Sequence, residues 1–302
     1  MDMDFKEKLL KILPESGIKE NEPMSLHTTF RIGGKADYFL MPEADKVAET
    51  IKLCKQENMP YMIVGNGSNL LVSDKGIRGV VIALEKQMNS IEIKGNIIRA
   101  QAGAMLIGLA AKAAESSLGG LEFASGIPGT VGGALTMNAG AYGGEMKQVV
   151  KRIGILDKDG NSDIIDAEKY DGQYRTSYIM KSGAIVLWGE FELEKKDKEK
   201  IREEMDELKK KRTEKQPLEY PSAGSTFKRP EGYFAGKLIM DAGLAGYTVG
   251  GAQVSEKHCG FVINKGGATA EDVYTLMQNV SAEVKSKFGV ELSPEVRIIG
   301  EF

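Results

Sequence analysis

Apolar residues in the N-terminal part of the chain recur at helical spacing and then in a short strand-like run. Val47, Ile51 and Cys54 follow an i, i+4, i+7 pattern, which predicts a helix over Ala44–Asn58 that ends before Pro60. The apolar stripe of such a helix faces the core of a globular domain. We therefore expect Cys54 to be a buried core residue rather than a reactive thiol.

Strand and helix signals are interspersed along the rest of the chain. Short apolar runs bounded by turn residues predict strands at 61–64, from 79, in a hairpin over 91–97, at 150–156, at 184–193 and in the closing segment EVRIIGEF. Further helices are predicted over 5–13, 104–116 and 195–215 and from 269 onward. The polar stretch PESGIKENEP has neither helix nor strand periodicity, so we expect it to form a mobile lead-in. The mixture predicts an α+β fold.

The helix predicted over 195–215 is very highly charged and keeps only Ile201, Met205 and Leu208 on one stripe. This pattern indicates a half-exposed helix that bridges two domains. The composition changes after this helix, so a second domain is expected to begin shortly beyond it.

The last predicted helix carries signals at both ends. Thr269 is its expected N-cap, with Asp272 three residues later, and Gly289 follows its last turn. The apolar face expected in the core consists of Val273, Met277, Val280, Val284 and Phe288.

A glycine-rich segment interrupts these patterns between residues 119 and 144, where 9 of 26 residues are glycine. It shows neither helix nor strand periodicity, and a loop of this length is either functional or disordered. Apolar and aromatic residues such as Leu121, Phe123 and Tyr142 are interleaved with the glycines, unlike the polar composition of a solvated linker. We expect this segment to pack against a ligand.

Composition narrows the class of protein. The 302 residues contain 40 Lys+Arg and 43 Asp+Glu, a net charge of −3, which disfavours binding to nucleic acid or anionic lipid. Two cysteines give neither a disulfide framework nor a zinc motif, and the two histidines flank no metal-ligand pattern, so no metal is expected. Because there is no signal-peptide pattern and no apolar run of 18 residues, a cytoplasmic location is expected. The anomaly is glycine, with 36 residues against about 21 at the usual ~7%.

A second glycine segment, VGNGSNLLVS, follows the strand predicted at 61–64. Its glycines would let backbone N–H groups approach an anion such as a pyrophosphate. It is neither a GxGxxG nor a Walker A motif, so a tight turn stays an alternative. Taken with the segment at 124–145, it suits a long ligand with two phosphates better than a mononucleotide.

Six motifs, in this order, carry a resemblance to a known family: TTFRIGG, VGNGSNLL, GLEFASGIPGTVGGALTMNAGAYG, YRTSYI, SAGSTFKRP and PEVRIIGE. Over residues 26–302 the chain resembles the UDP-N-acetylenolpyruvoylglucosamine reductases, also called UDP-N-acetylmuramate dehydrogenases. The resemblance implies a two-lobed FAD-binding domain of the vanillyl-alcohol-oxidase type and a C-terminal α+β substrate-binding domain. We place the first lobe at 1–83, the second at 84–200 and the substrate-binding domain at 201–302.

The resemblance implies a reaction and its catalytic residues. NADPH is the co-substrate, FAD is bound non-covalently, and the enolpyruvyl ether of UDP-N-acetylglucosamine is reduced to a lactyl ether during peptidoglycan precursor synthesis. By this resemblance, Arg175 binds the substrate carboxylate, Glu295 helps to polarise it and Ser225 donates a proton to C2. Fixed donors of this kind stabilise the negative charge that builds up as hydride adds to C3.

The resemblance also assigns binding residues. Cofactor contacts are implied at Arg31, Gly33, Gly65, Asn66, Gly67, Ser68, Asn69, Gly126, Pro128, Gly129, Gly133 and Asn138. Substrate contacts are expected at Lys215, Lys228 and Arg229, because basic side chains form charge-assisted hydrogen bonds to phosphate. His258 lies in the segment VSEKHCGFVIN, where a polar contact with the substrate is expected. The chain resembles the shorter branch of the family, which lacks a loop with a tyrosine over the sugar nucleotide, so what covers the UDP group stays open. The oligomeric state also stays open.

Two other functions stay open at this point. A different FAD oxidoreductase of the same fold, acting on an alcohol or hydroxy acid, would keep the glycine segments. It would have no reason to keep Arg175, Ser225 and Glu295 together. A sugar-nucleotide-binding protein without redox chemistry would lack the yellow colour of oxidised flavin.

Overall fold

The computed structural model describes residues 4–302, which form two compact units. Unit 1 comprises the chain up to Lys19, then Tyr38–Asn66 and Gly79–Lys211, and unit 2 comprises Glu20–Asp37, Gly67–Arg78 and Arg212–Phe302. The division into 1–83, 84–200 and 201–302 stays a prediction. Among the described helices, none combines the length and the hydropathy that a membrane crossing requires.

Helices and strands alternate along the chain. The helices are α1 (Phe5–Leu9), α2 (Val47–Gln56), α3 (Leu106–Glu115), α4 (Val131–Met137), α5 (Ala167–Tyr170), α6 (Tyr178–Ser182), α7 (Lys198–Lys215), α8 (Ala235–Asp241) and α9 (Ala270–Phe288). The strands are β1 (Ile18–Pro23), β2 (Lys35–Leu40), β3 (Tyr61–Val64), β4 (Leu70–Val72), β5 (Ile77–Ala83), β6 (Ile91–Lys94), β7 (Ile97–Gln101), β8 (Leu118–Gly119), β9 (Gly140–Ala141), β10 (Gly144–Glu145), β11 (Val150–Leu156), β12 (Ser162–Asp166), β13 (Ile185–Glu192), β14 (Glu194–Lys195), β15 (Ser222–Ser225), β16 (Thr248–Val249), β17 (Ala252–Val254), β18 (Phe261–Asn264) and β19 (Arg297–Ile299).

The main sheet of unit 1 is antiparallel, with strand order β12-β11-β13-β7-β6. Its apolar residues and those of α2, α3 and α4 form one buried core. Gly154 on β11 lies opposite Trp188, and a side chain at residue 154 would overlap the indole ring. A further four-stranded sheet has the order β1-β2-β5-β3, and within unit 1 the pair β3 and β5 runs parallel.

Unit 2 has its own core beneath an antiparallel sheet of order β15-β18-β17-β16. Helices α8 and α9 both contribute apolar side chains to this core, and β19 pairs in parallel with β4. Thr269 and Asp272 form a capping box at the start of α9, and Gly289 ends the helix with a φ of +69°. Both end signals are confirmed.

Most of the predicted elements are confirmed within a few residues, and three expectations are wrong. PESGIKENEP contains a 3-10 turn and strand β1 instead of forming a mobile lead-in. The glycine-rich segment contains α4, although no helix was predicted there. Phe288, the last residue of α9, is 40% exposed, whereas the four other residues of the predicted apolar face are buried.

Candidate active site

The first glycine loop leaves β3 at Gly65. Asn66 Nδ2 donates a hydrogen bond to Pro128 O at 2.6 Å, so this loop and the second glycine segment lie side by side in unit 1. A side chain at residue 65 would overlap the hydroxyl of Thr130. Glycine is therefore required at residue 65 so that the two segments can approach each other.

Residues 67–69 continue this loop in unit 2. Gly67 has a φ of +59°, and a Cβ atom there would overlap the carbonyl oxygen of His27. The backbone conformation and this close contact are sufficient to explain why residue 67 is glycine. The glycine alone therefore does not indicate a ligand. Asn69 Nδ2 donates to Glu295 O at 3.1 Å, and Asn69 O accepts from Arg297 N at 2.9 Å. Ser68, between Gly67 and Asn69 in the sequence, is half-buried.

The second glycine segment runs through half-buried Gly126, Pro128 and Gly129 into α4. Thr130 caps this helix by accepting a hydrogen bond from Gly133 N at 3.4 Å. The N–H groups of the first turn would otherwise lack partners. Those of Val131 and Gly132 donate to the carbonyls of Ala104 and Ala102 at 2.8 Å, which fixes α4 against the chain preceding α3.

Asn138 ends α4 in the left-handed conformation, with a φ of +44°, and its side chain is buried. Its Nδ2 donates to Glu145 Oε2 at 2.8 Å and to Gln173 O at 3.3 Å, and its Oδ1 accepts from Lys147 N at 2.9 Å. The side chain is therefore engaged with protein groups. Its predicted contact with the cofactor stays a prediction.

Arg175 lies at the tip of a tight turn in unit 1. Gln173 and Thr176 exchange two backbone hydrogen bonds, of 2.9 and 3.2 Å, and leave Tyr174 and Arg175 as the turn residues. The guanidinium carbon lies 5.1 Å from the centre of the Tyr174 ring. Arg175 has a φ of +57°, which costs a residue with a side chain roughly 1–3 kcal/mol. Such local strain is typical of residues held in place for a function.

Ser225 and Glu295 lie on two backbone segments of unit 2 that pair with each other. Thr226, next to Ser225, accepts a hydrogen bond at its carbonyl from Glu295 N at 2.8 Å, and Lys228 N donates to Ser293 O at 2.8 Å. Residue 225 also pairs with Phe261 at the end of β15. The backbone segments that carry Ser225 and Glu295, which the resemblance assigned to one reaction, thus lie next to each other in the fold.

The basic candidates of unit 2 differ in their surroundings. Lys215, Lys228 and Arg229 are exposed, and the guanidinium carbon of Arg229 lies 4.0 Å from the centre of the Phe234 ring. His258 is half-buried, and burial lowers its pKa, as does the positive charge of Lys215. His258 Nδ1 accepts a hydrogen bond from Gly260 N at 3.1 Å, so the neutral ring carries its proton on Nε2.

Arg31 and Gly33, the predicted cofactor contacts in the TTFRIGG motif, also lie in unit 2. Arg31 is exposed and has a φ of +55°, and its N–H donates to Thr28 O at 3.1 Å. Gly33 has a φ of +135°, and a Cβ atom there would lie 2.9 Å from Cβ of Val72. The backbone conformation of both residues and the close contact at Gly33 are consistent with a structural role of the motif. The contacts of Arg31 and Gly33 with the cofactor stay predictions.

Thr130 is a functional candidate that the sequence reasoning missed. Its hydroxyl caps α4 and lies against Gly65, so it joins the two glycine segments. A threonine directly before the helix-forming stretch VGGALTM was the available signal. Within residues 4–302, no group of three or more His, Cys, Asp or Glu side chains could hold a metal ion.

The two glycine segments fit a cofactor that carries phosphates. Among the described residues, no backbone carbonyl accepts a hydrogen bond from the N–H groups of residues 65–68. Successive backbone N–H groups in a turn of this kind make concave binding sites for anions. Residues 37–162 match the family described as FAD binding domain. Fold and site thus define a FAD-binding oxidoreductase with a vanillyl-alcohol-oxidase-type fold.

Similarity extends over the whole chain. Residues 216–299 match the family described as UDP-N-acetylenolpyruvoylglucosamine reductase, C-terminal domain. The chain is 55% identical to the UDP-N-acetylenolpyruvoylglucosamine reductase of Agathobacter rectalis, with 100% of both chains covered. It is 53% identical to that of Clostridium botulinum strain Alaska E43, covering 95% of this chain and 94% of the relative. The chain belongs to the UDP-N-acetylenolpyruvoylglucosamine reductase family.

Solved structures agree with this assignment. The crystal structure of the enzyme of the same name from Thermus caldophilus is 34% identical, with a TM-score of 0.81, and the match covers 92% of this chain and 98% of that one. A variant of Phl p 4, described as a glucose oxidase, is 15% identical, with a TM-score of 0.51 and coverage of 65% and 45%. This second likeness shows the shared fold alone.

Proposed function

We propose that the chain reduces the enolpyruvyl ether of UDP-N-acetylglucosamine to the lactyl ether of UDP-N-acetylmuramate, with NADPH as the reductant. The observation that carries the proposal is the pairing of the segments that bear Ser225 and Glu295, in a chain with this family membership. This role places the protein in the cytoplasm, in the synthesis of the peptidoglycan precursor on which cell shape and division depend.

The residues that would hold FAD are those of the two glycine segments. Backbone N–H groups of residues 65–68 would donate to the phosphates, and Gly126, Pro128 and Gly129 would line the adjacent segment. When bound, FAD supplies the hydride chemistry, accepting hydride from NADPH and delivering it to C3 of the enolpyruvyl group. The protein supplies binding, orientation and charge stabilisation.

Arg175 provides a planar pair of donors for the substrate carboxylate. A guanidinium matches a carboxylate in two parallel hydrogen bonds, which a lysine cannot reproduce. As hydride reaches C3, negative charge develops at C2 and spreads into this carboxylate. Arg175 thus stabilises the charge where it develops, and Glu295 polarises the same group.

Ser225 donates the proton to C2. A serine hydroxyl is a weak acid in water, but the enolate carbon is strongly basic, and a fixed contact makes the transfer effective. Protonation completes the lactyl group, with hydride at C3 and a proton at C2. Lys215, Lys228 and Arg229 are proposed to meet the diphosphate of the substrate, and His258 to make a polar contact with the substrate.

Anaerobic absorbance spectroscopy tests the function directly. The purified protein should be yellow, lose its flavin absorbance on addition of NADPH, and regain it on addition of the enolpyruvyl sugar nucleotide. A colourless protein that binds the sugar nucleotide would contradict the redox function. A yellow protein whose flavin is reduced by an alcohol or hydroxy acid, and whose reduced flavin is not reoxidised by the enolpyruvyl sugar nucleotide, would point to the other class of flavoenzyme.

A further inference from the structure

The C-terminal end of α4 carries carbonyl groups that helix geometry leaves without intrahelical partners. Two hydroxyl groups from another segment donate to carbonyls of this end, one of which, Leu135 O, also accepts a long hydrogen bond of 3.5 Å from Asn138 N. Tyr170 Oη donates to Leu135 O at 2.7 Å, and Ser177 Oγ donates to Thr136 O at 2.8 Å. Tyr170 and Ser177 are both fully buried. These two hydrogen bonds lie on either side of Arg175 in the sequence and attach its turn to the end of one helix.

The middle of the same segment is attached as well. Asn138 Nδ2, at the end of α4, donates to Gln173 O, the first residue of the Arg175 turn. Gly172 lies against Asn138 and Tyr170, and a Cβ atom at residue 172 would lie 2.9 and 2.8 Å from their side chains. The segment therefore lies on the helix end with no room for a larger residue at 172.

Burial makes these hydrogen bonds matter. The bond from Tyr170 is buried and that from Ser177 is partly buried, and a polar group that loses a hydrogen bond away from water costs free energy, so the segment cannot leave the helix end without a penalty. Burial also raises the pKa of Tyr170, and the negative charge of Glu145 raises it further, so the phenol keeps its donor proton. The strained φ of Arg175 needs external support of this kind, because strained backbone persists only where the surroundings impose it.

The other end of α4 belongs to the glycine segments. Thr130 caps the helix and lies against Gly65, while Gly132 is bonded to Ala102. One short helix thus joins the predicted flavin-phosphate loops to the turn that carries Arg175. All of these contacts lie within unit 1.

We propose that Tyr170 and Ser177 are positioning residues for Arg175. They hold its turn on the end of α4, so that the guanidinium keeps a fixed place relative to the glycine segments. The proposal rests on the function assigned to Arg175 above. Misplacement of a reacting group by about 1 Å can cost about 100-fold in rate, so small movements of the turn should be measurable.

The test compares the two half-reactions in Tyr170→Phe and Ser177→Ala, which each remove one hydroxyl group. Both variants are purified with bound FAD. Reduction of the flavin by NADPH should stay within about two-fold of wild type, while reoxidation by the enolpyruvyl substrate should slow by about 10- to 100-fold. Ser182→Ala is the matched control. Its hydroxyl lies at the far end of α6 and bonds to Ile179 O, not to α4.

A double-mutant cycle separates positioning from ordinary support of the fold. In an Arg175→Lys background, Ser177→Ala should slow reoxidation no further, because its effect is exerted through the guanidinium. Equal slowing of both half-reactions, or additive effects with Arg175→Lys, would overturn the proposal. So would normal reoxidation in both hydroxyl variants while Arg175→Lys is impaired. If Arg175→Lys itself reoxidises normally, the function assigned to Arg175 fails instead.

Discussion

Gly224 directly precedes Ser225 and has a φ of +77°, in the left-handed region that favours glycine. No atom lies within 4 Å of the place that a Cβ atom would take at residue 224. The requirement for glycine here is therefore conformational and not steric. The conformation turns the chain at the end of β15, where Ser225 pairs with Phe261 and its neighbour Thr226 bonds to Glu295.

Replacing Ser225 by alanine should separate the two half-reactions. Reduction of the flavin by NADPH needs no proton at substrate C2, so it should stay close to the wild-type rate. Reoxidation by the enolpyruvyl substrate should slow by roughly 10²–10⁴-fold, the usual effect of a lost general acid. Rapid-mixing absorbance measurements would follow each half. Undiminished reoxidation would remove Ser225 as the acid, and equal slowing of both halves would indicate damage to the flavin site.

His258 should give the folded protein a measurable sensitivity to acid. Burial lowers its pKa in the folded state below the ordinary 6.5, so the unfolded chain takes up this proton first as the pH falls. The unfolded state then binds more protons, and the free energy of unfolding decreases below about pH 6.5. Urea unfolding between about pH 7.5 and 5.5 should show a larger decrease for wild type than for His258→Gln. Equal decreases would contradict this reading of the site.

At the scale of elements, the helices with end signals were predictable and two other elements were not. Strand β1, with the sequence IKENEP, has no fully buried residue, so it lacks the apolar alternation by which strands are recognised. Helix α4 contains Gly132 and Gly133, each of which disfavours a helix by about 1 kcal/mol. The helix forms because carbonyls of Ala102 and Ala104 and the hydroxyl of Thr130 satisfy its first N–H groups. The carbonyls of Ala102 and Ala104 come from outside the helix and leave no local pattern, whereas Thr130 directly precedes the helix and was the available local signal.

The candidate site shows the same limit. Glycine density and motif order pointed to the two loops and to Ser225, Glu295 and Arg175. The backbone pairing that brings Ser225 and Glu295 together depends on tertiary structure, as does the attachment of the Arg175 turn to α4. Cys54 was predictable because its helical spacing alone places it in the core, where burial raises its pKa to about 11.

The capping box of α9 gives a prediction about stability. Thr269→Ala removes the acceptor for Asp272 N, at 3.0 Å, and should lower the free energy of unfolding by about 1 kcal/mol. Ser286→Ala, on the exposed side of the same helix, should leave stability unchanged or slightly increase it. Urea unfolding measures both. A loss at Ser286 as large as that at Thr269 would mean that the cap has no special contribution.

At the scale of the whole molecule, each unit is assembled from separate stretches of chain. Unit 2 takes in Glu20–Asp37 and Gly67–Arg78 as well as the C-terminal part. A change in composition along the sequence can mark the boundary between two consecutive stretches of chain. It gives no signal where the chain leaves a unit and later returns to it. The division into 1–83, 84–200 and 201–302 stays a prediction, and no signal in the sequence indicated that the earlier segments belong to unit 2.

Binding of the cofactor should stabilise the folded protein, because FAD binds the native state and not the unfolded chain. At a free concentration of about 100 times Kd, the expected gain is about 2.7 kcal/mol. FAD-depleted protein should therefore melt at a lower temperature than the same protein with FAD restored, as measured by circular dichroism.

FMN is the informative control, since it has the flavin ring and one phosphate but lacks the second phosphate and the adenosine. If the two glycine segments, joined by the hydrogen bond from Asn66 to Pro128, hold a diphosphate, FMN should raise the melting temperature much less than FAD at equal concentration. Equal stabilisation by FMN would mean that only the ring and one phosphate are held, and that the second segment has another purpose.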